Sequence, residues 1–158
     1  MISSDIDPVS VWKPAVTVAA IIEREGRFLF VEEEADGRRV LNQPAGHLDP
    51  GDSLVAAVAR EVLEETARRF TPTALLGVYR WHYAPQDVTF LRFAFCGTVD
   101  GVEPGRALDR EIIALHWLTP PELSARRAMH RSPLVERCVA DYLTGKRFPL
   151  EALSREFA

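Results

Sequence analysis

The sequence predicts an α+β domain in which mixed β-strands surround one central helix and further helices follow near the C-terminus. The strand candidates are apolar, β-branched runs bounded by turn residues, whereas one charged segment after Gly46 has helical periodicity. Proline residues then open two more helices in the last third of the chain. With 158 residues, 47% of them hydrophobic and 27% charged, the chain is long enough for one domain with a real core.

The N-terminal part predicts a leader followed by a β-hairpin. Residues 1–12 are expected to form a flexible leader, and residues 13–158 the domain. Residues 16–22 are apolar and rich in β-branched side chains, which is typical of a buried strand. The pair Glu25-Gly26 then favours a tight turn into a second strand at 27–31.

The central helix is predicted to begin at Asp52 or Ser53, because either side chain can accept a hydrogen bond from the first turn. Its apolar stripe consists of Val55, Val58 and Val62. Pro72 disfavours helical geometry at the preceding residue and therefore helps to end the segment.

The C-terminal half predicts three strands and two helices. The strands are expected at 75–83, 88–99 and 112–118. In the second of them, alternation places Arg92 and Phe93 on opposite faces of the sheet. Pro120 and Pro133 open helices that fill much of the region from about 120 to 145.

Composition excludes several function classes. The formal net charge of −4 argues against a nucleic-acid polymer as a partner. Cys96 and Cys138 provide neither a disulfide framework nor a zinc-binding pattern, and buried free thiols fit a reducing compartment. The first residues lack the regions of a secretory signal, and no apolar stretch is long enough to span a membrane. We therefore expect a cytoplasmic protein without membrane association.

One face of the central helix is crowded with carboxylates. At about 100° per residue, Glu61, Glu64 and Glu65 lie on one side of the helix together with Arg60. Like charges at this spacing destabilise a helix, and the helix C-terminus disfavours negative charge. A hard divalent cation would offset this repulsion, and oxygen ligands of this kind suit Mg²⁺.

Part of the same segment has a second interpretation. Glu64 and Glu65 precede Arg68 and Arg69 by four residues, which is the favourable order for ion pairs on a solvated helix. The stretch alone favours that interpretation. The longer arrangement, which adds Gly46 and the loop that follows it, favours a metal site instead.

The spacing of these residues resembles the box of the Nudix hydrolases. That box consists of Gly, five residues, Glu, seven residues, Arg-Glu, two residues and Glu-Glu, and here it occupies 46–68. Segments outside the box resemble the NudJ branch of phosphatases within this family: VTVAAII, FLFVEE, NQPAGHL, FLRFAF, RSPLV and GKRFPLE. The similarity covers about 13–151.

The resemblance implies an α/β/α sandwich with a mixed sheet, in which the box forms a loop-helix-loop. It also implies that water attacks a small diphosphate compound with help from Mg²⁺ or Mn²⁺. The NudJ branch further implies a monomeric phosphatase of thiamine pyrophosphate and hydroxymethylpyrimidine pyrophosphate that also hydrolyses nucleoside di- and triphosphates. A generic nucleotide house-cleaning hydrolase and a catalytically silent diphosphate-binding module are the alternatives.

Within the box, the glutamates are the expected metal ligands. We expect Glu61 and Glu65 to bind directly, and Glu64 to share direct or water-mediated contact. The family adds the backbone carbonyl of Gly46. Arg60 is expected to orient the glutamates through charge-assisted hydrogen bonds.

The general base is open between two carboxylates. Glu64 could take a proton from the attacking water. Glu111 precedes the strand predicted at 112–118 and could serve as ligand or base from a loop, or be a solvated surface acid.

Four residues outside the box are candidates for substrate binding. Arg92 is expected to contact a phosphate, with a structural ion pair as the alternative. Trp81 and Tyr83 share a strand face and either edge the substrate pocket or pack in the core. Gln43 is a candidate for a hydrogen bond to a substrate base.

Three residues depart from the family pattern. Asp52 stands where the box has Glu, so its contact with Arg60 is expected to be weakened or shifted. Ala67 replaces a glycine that often ends a helix, and the helix is therefore expected to run on toward Arg69. Arg68 replaces an apolar residue, which puts the local packing in question.

Overall fold

The computed structural model describes residues 11–153, which form a seven-stranded sheet flanked by helices. The strands are β1 (Ala15–Arg24), β2 (Arg27–Ala35), β3 (Arg38–Asn42), β4 (Ala45–His47), β5 (Arg68–Tyr83), β6 (Val88–Val102) and β7 (Ile112–Leu118). The helices are α1 (Leu54–Thr66), α2 (Pro120–Ala125) and α3 (Leu134–Leu143). Within the described range, no helix is both long and apolar enough to cross a membrane.

The structure describes only part of the leader that the sequence predicted. Of the expected leader at 1–12, residues 1–10 lie outside the described residues, and Val11 and Trp12 are exposed ahead of β1. The final five residues, 154–158, also lie outside the described range.

Strand β1 organises the mixed sheet. The main path runs β3-β2-β1-β6-β5, and β1 pairs with β6 in parallel whereas the other pairs along this path are antiparallel. Two short partners complete the sheet, because β4 pairs with β1 and β7 pairs with β2. The β4 pairing sets Gly46 opposite Val18, so the start of the box is held inside the sheet. The mixed sheet predicted from the sequence is confirmed.

Alternation along the strands divides the core into two layers. One face of the sheet packs against α1 through residues such as Phe95 and Val62. The opposite face packs against α2 and α3 through residues such as Ala94 and Val135. Each fully buried aliphatic or aromatic side chain contributes about 1.5–3 kcal/mol to stability. The sheet thus lies between helical layers, which confirms the α/β/α sandwich.

The start of α1 follows the sequence prediction. Ser53 is the cap, and its hydroxyl accepts a hydrogen bond from the backbone N–H of Ala56 at 3.1 Å. Val58 and Val62 are fully buried, as expected for the apolar stripe. Asp52 does not cap the helix because its carboxylate binds Arg60.

The end of α1 does not follow the prediction. The expectation that the helix runs toward Arg69 is wrong, because Ala67 adopts a left-handed conformation with φ 55° and ψ 29°. This geometry costs an alanine about 1–2 kcal/mol. Hydrogen bonds offset the cost: the N–H of Ala67 donates to Leu63 O at 2.9 Å, and its carbonyl accepts from Glu103 N at 2.7 Å. The chain then enters β5 directly.

Arg68 packs against Trp117 at the position where the family has an apolar residue, and its Nε is buried without a hydrogen-bond partner. Its guanidinium lies 6.0 Å from the ring centre of Trp117 and donates to the carbonyl of Thr66 at 3.2 Å. The aliphatic stem and the planar head of an arginine can cover an aromatic ring in this way.

Strands β5 and β3 show the main differences from the prediction. Strand β5 begins before Pro72, so this proline does not end the helix. It lies within an edge strand, next to a register shift. Strand β3 was not predicted, because its sequence, RRVLN, has only two apolar residues. It forms because Asp36 and Gly37 take positive φ angles and turn β2 back on itself.

Candidate active site

The guanidinium of Arg60 lies at the centre of a carboxylate cluster on α1 and the preceding loop. It is between 2.8 and 3.3 Å from oxygens of Glu61, Glu64, Asp52 and Asp49. Asp52 therefore contacts Arg60 at 3.1 Å although it is one methylene shorter than Glu. A single guanidinium cannot neutralise four carboxylates, so this region keeps an excess of negative charge.

Three carboxylates converge beside Arg60. Among the described residues, the one group of three or more acidic, histidine or cysteine side chains whose ligand atoms all lie within 4.8 Å consists of Glu61, Glu64 and Asp109. Burial raises the pKa of Glu61, and the charges of Glu64 and Asp109 raise it further, whereas Arg60 lowers it. An oxygen-only donor set with surplus negative charge fits a hard cation such as Mg²⁺ or Mn²⁺.

Gly46 forms a cradle for one of these carboxylates. An ideal Cβ at Gly46 would lie 2.0 Å from Cδ of Glu61, a distance that atoms in contact never reach. Only glycine therefore allows the Glu61 carboxylate to rest on the backbone of β4. The structure brings Gly46 to the cluster, as expected.

Glu65 lies behind the cluster rather than within it. Its side chain is buried, and Oε1 accepts a hydrogen bond from the backbone N–H of Ala45 at 2.8 Å. Burial raises the pKa of Glu65 to about 9, and the charges of Glu33, Glu61 and Asp109 add to that effect. The backbone bond is too weak to compensate for burial of the charged form.

The loop acid in the cluster is Asp109, whereas the sequence had pointed to Glu111. The backbone N–H of Asp109 donates to the carbonyl of Glu64 at 3.0 Å, which holds the loop against the end of α1. Glu111 is exposed and lies outside the group of three. Burial raises the pKa of Glu33, and the charge of Glu111 adds to that effect. Both acids were visible in the sequence, but only the loop's backbone contacts decide which one faces the helix.

A cavity of about 200 Å³ opens beside Gly46. Trp81 and Phe90 provide an aromatic wall, and their rings stack with centres 5.6 Å apart. Charged and amide side chains form part of the remaining lining: Glu33, Asn42, Arg92 and Arg131. The cavity thus joins the carboxylate cluster to a pocket for a flat, polar group.

Arg92, a candidate for a phosphate contact, lines this cavity. It is 6% exposed, and its terminal nitrogens donate to Gln43 Oε1 and Asn42 Oδ1, each at 2.9 Å. These partners are neutral amides rather than a carboxylate. The charge of the guanidinium acts on the carboxylate of Glu33 in the same cavity, and it would act likewise on an anion bound there.

The other predicted substrate residues occupy different positions. Trp81 lines the cavity. The ring of Tyr83 lies beside that of Trp81, with the ring centres 5.3 Å apart, and Tyr83 lines an adjoining groove together with Arg38. Gln43 is buried and does not reach the cavity. Its amide nitrogen donates to the carbonyl of Val135 at 2.7 Å, so Gln43 links Arg92 to α3.

Two charged lining residues were not singled out from the sequence. Glu33 points into the cavity from β2, and an oxygen of its carboxylate lies 3.5 Å from Nη1 of Arg131. Arg131 is brought there because its backbone N–H donates to the carbonyl of Leu41 at 2.9 Å. The two charged residues are 98 positions apart, so no local pattern could pair them.

Comparisons with known proteins agree with this architecture. A family model described as NUDIX domain matches residues 11–138. Phosphatase NudJ from Escherichia coli strain K12 and from Shigella boydii serotype 4 strain Sb227 are each 39% identical over 142 residues, covering 90% of this chain and 92% of that protein.

Solved structures give the same result. A NUDIX hydrolase from Nitrosomonas europaea superimposes with a TM-score of 0.89 and 49% identity, covering 91% of this chain and 98% of that one. A MutT NUDIX hydrolase from Burkholderia pseudomallei, at 22% identity and a TM-score of 0.70, shares the fold over 82% of this chain and 98% of its own. The chain therefore belongs to the Nudix family and is a hydrolase that acts on phosphoanhydride bonds.

Proposed function

We propose that this protein is a Mg²⁺-dependent, NudJ-like phosphatase that hydrolyses small diphosphate compounds. The expected substrates are thiamine pyrophosphate, hydroxymethylpyrimidine pyrophosphate, and nucleoside di- and triphosphates. One observation carries the proposal: the cluster of Glu61, Glu64 and Asp109 lies beside a cavity with an aromatic wall and a buried arginine. Identity of 39% to phosphatase NudJ over most of both chains supports the narrower substrate choice.

We assign the metal-binding role to the oxygen ligands around Gly46. Glu61, Glu64 and Asp109 would hold a divalent ion, with the carbonyl of Gly46 and the buried Glu65 as further ligands. Such an ion neutralises phosphate oxygens and acidifies bound water. Phosphoryl chemistry otherwise asks the protein mainly to place the groups and to stabilise charge.

The remaining roles belong to side chains that contact these ligands or the cavity. Arg60 holds Glu61 and Glu64 in place through bonds of 2.8 and 3.3 Å. Glu64 is our choice for the base that takes a proton from the attacking water, because it belongs to the cluster and is partly open to solvent. Glu111 is the alternative base, acting from its loop. Arg92 would contact a phosphate oxygen or a polar substituent of the substrate.

We also propose that the enzyme acts as a monomer in the cytoplasm. Both cysteines, Cys96 and Cys138, are buried and free, which is in keeping with a reducing compartment. Light scattering of the purified protein at several concentrations would test the oligomeric state.

The first prediction concerns metal-dependent turnover. Purified protein supplied with Mg²⁺ is expected to release phosphate from thiamine pyrophosphate, hydroxymethylpyrimidine pyrophosphate and nucleoside diphosphates, and EDTA is expected to abolish the release. Excess Mn²⁺ should restore it. Release of AMP from dinucleotides, with no action on this panel, would support the house-cleaning alternative. Binding of the same compounds without any turnover would support a silent binding module.

The second prediction tests the cradle at Gly46. In Gly46→Ala, the new methyl group must displace the Glu61 carboxylate, which is the movable end of a side chain. We expect the stability of the metal-free protein to change by less than about 1 kcal/mol. Affinity for Mg²⁺, measured by calorimetry, should fall at least about tenfold because one ligand is misplaced.

Gly101→Ala is the matched control, since an added Cβ there meets no atom within 4 Å. It should bind Mg²⁺ as the unaltered protein does. Equal affinities in the two variants would remove Gly46 from the metal site.

A further inference from the structure

The lining of the cavity divides into two chemically different walls. The aromatic wall comes from β5 and β6 through Trp81 and Phe90, and much of the polar wall comes from β2 and β3 through Glu33 and Asn42. The strand order β3-β2-β1-β6-β5 places these pairs on opposite sides of β1. Gly46 pairs with β1 between these two walls and lies against the carboxylate cluster. A ligand with its phosphates at the cluster would therefore present one edge of its flat group to the polar wall.

The volume of the cavity suits a small flat group. This volume of about 200 Å³ is below the roughly 300–1,000 Å³ of sites for drug-sized ligands. A single six-membered ring with its substituents is a suitable occupant, and the stacked rings of Trp81 and Phe90 offer it a face.

Hydrogen-bonding capacity along the polar wall is asymmetric. Glu33 is the one acidic side chain among the lining residues of the described chain. The carbonyl oxygen of Asn42 is already used by Arg92, at 2.9 Å. The carboxylate of Glu33 contacts Arg131 at the long distance of 3.5 Å and also the side chain of Asn42, and these two contacts use only part of its about four acceptor sites. Glu33 therefore keeps free acceptor capacity, whereas Arg92 and Arg131 can only donate.

The acceptor Glu33 beside the donors Arg92 and Arg131 matches a ring edge that has a donor next to an acceptor. In a 4-aminopyrimidine, the amino group donates and the adjacent ring nitrogen accepts, as in cytosine. In a 4-oxopyrimidine such as uracil, an oxygen replaces the amino group and would face the Glu33 carboxylate, acceptor against acceptor. Buried polar groups left without a partner are costly, so such a site rejects the wrong ring.

We propose that Glu33 is a specificity-determining residue that accepts a hydrogen bond from a ring amino group, so that aminopyrimidine diphosphates are preferred over their oxo counterparts. This inference rests on the proposed phosphatase function. It names a property of the ring pocket that the carboxylate cluster does not determine, because the cluster acts on the phosphates.

The test compares two pairs of substrates that differ at one ring position: CDP with UDP, and thiamine pyrophosphate with its 4-oxo analogue. We expect the intact enzyme to favour the amino member by about 10- to 100-fold in kcat/KM. Glu33→Gln should reduce this preference at least about tenfold in at least one pair, because the glutamine amide can donate to the oxo group. Glu34→Gln, an exposed neighbour on the same strand, should leave the preference unchanged.

Each result has a defined meaning. Equal kcat/KM for the amino and oxo members in the intact enzyme, or an unchanged preference in Glu33→Gln, would overturn the inference and leave Glu33 as a structural partner of Arg131. Failure to hydrolyse any of the four compounds would instead overturn the proposed function. If Glu33→Gln does not fold, Glu33→Asp withdraws the carboxylate by one methylene, and the preference should fall in the same direction.

Discussion

Replacing Glu61 with glutamine should lower kcat about 100- to 1,000-fold with Mg²⁺, while the protein stays folded. The carboxylate of Glu61 rests on Gly46, belongs to the cluster with Glu64 and Asp109, and accepts a bond of 2.8 Å from Arg60. Glutamine retains the shape and the carbonyl oxygen but removes the negative charge. The variant therefore loses metal affinity and charge placement without creating a cavity.

The measurement is turnover of thiamine pyrophosphate or CDP as a function of Mg²⁺ concentration, at equal amounts of folded protein. Glu34→Gln removes one charge from an exposed position and should keep its activity. The unfolding temperature of metal-free Glu61→Gln should match or exceed that of the intact protein. Burial of the charged carboxylate and repulsion from Glu64 and Asp109 disappear, and together they outweigh the lost ion pair with Arg60. Turnover close to that of the intact protein at all Mg²⁺ concentrations would remove Glu61 from the metal site.

Local pattern predicts the elements that local forces determine. The start of α1 at Ser53 and the alternation of Arg92 and Phe93 follow from capping and strand periodicity, and the structure has both. The left-handed turn at Ala67 could not be predicted in this way. It depends on Glu103, whose backbone N–H reaches the carbonyl of Ala67 from the far end of β6.

In the active site, too, some features follow from local sequence and others depend on distant contacts. The spacing of the box brought Gly46, Glu61 and Glu64 together correctly, because a helix and one loop fix their positions. The choice between Asp109 and Glu111 depends on how a distant loop docks on the end of α1, which spacing does not encode. The lining of the cavity is still harder to predict from sequence, since it joins residues from β2, β3 and the segment before α3 that meet only in the folded chain.

The second large effect concerns Glu65 and has opposite signs in two measurements. Glu65→Gln should lose most turnover, yet the metal-free variant should be more stable than the intact protein at pH 8. The isosteric amide can keep the bond from Ala45, because its oxygen accepts as the carboxylate oxygen does. Only the cost of burying a charge is removed.

The sign follows from the raised pKa of Glu65, which is about 9 in the folded protein against an ordinary value of 4.5 for a glutamate in the unfolded chain. Between these values the folded state binds more protons than the unfolded state, so stability falls as the pH rises. Below about pH 4.5 both states are protonated at this group and the penalty is absent. At about 1.4 kcal/mol per pH unit, the penalty at high pH has an upper limit of about 6 kcal/mol.

Urea unfolding in EDTA from pH 5 to pH 9 measures this effect. The free energy of unfolding of Glu65→Gln should exceed that of the intact protein by a margin that grows with pH. Mg²⁺ should narrow this margin, because it stabilises the intact protein more than a variant that has lost one ligand. Parallel curves would mean that Glu65 carries no buried charge penalty. A structural role alone would lower stability and activity together. A gain in stability with a loss of turnover would show that the fold tolerates an unfavourable carboxylate because the reaction requires it.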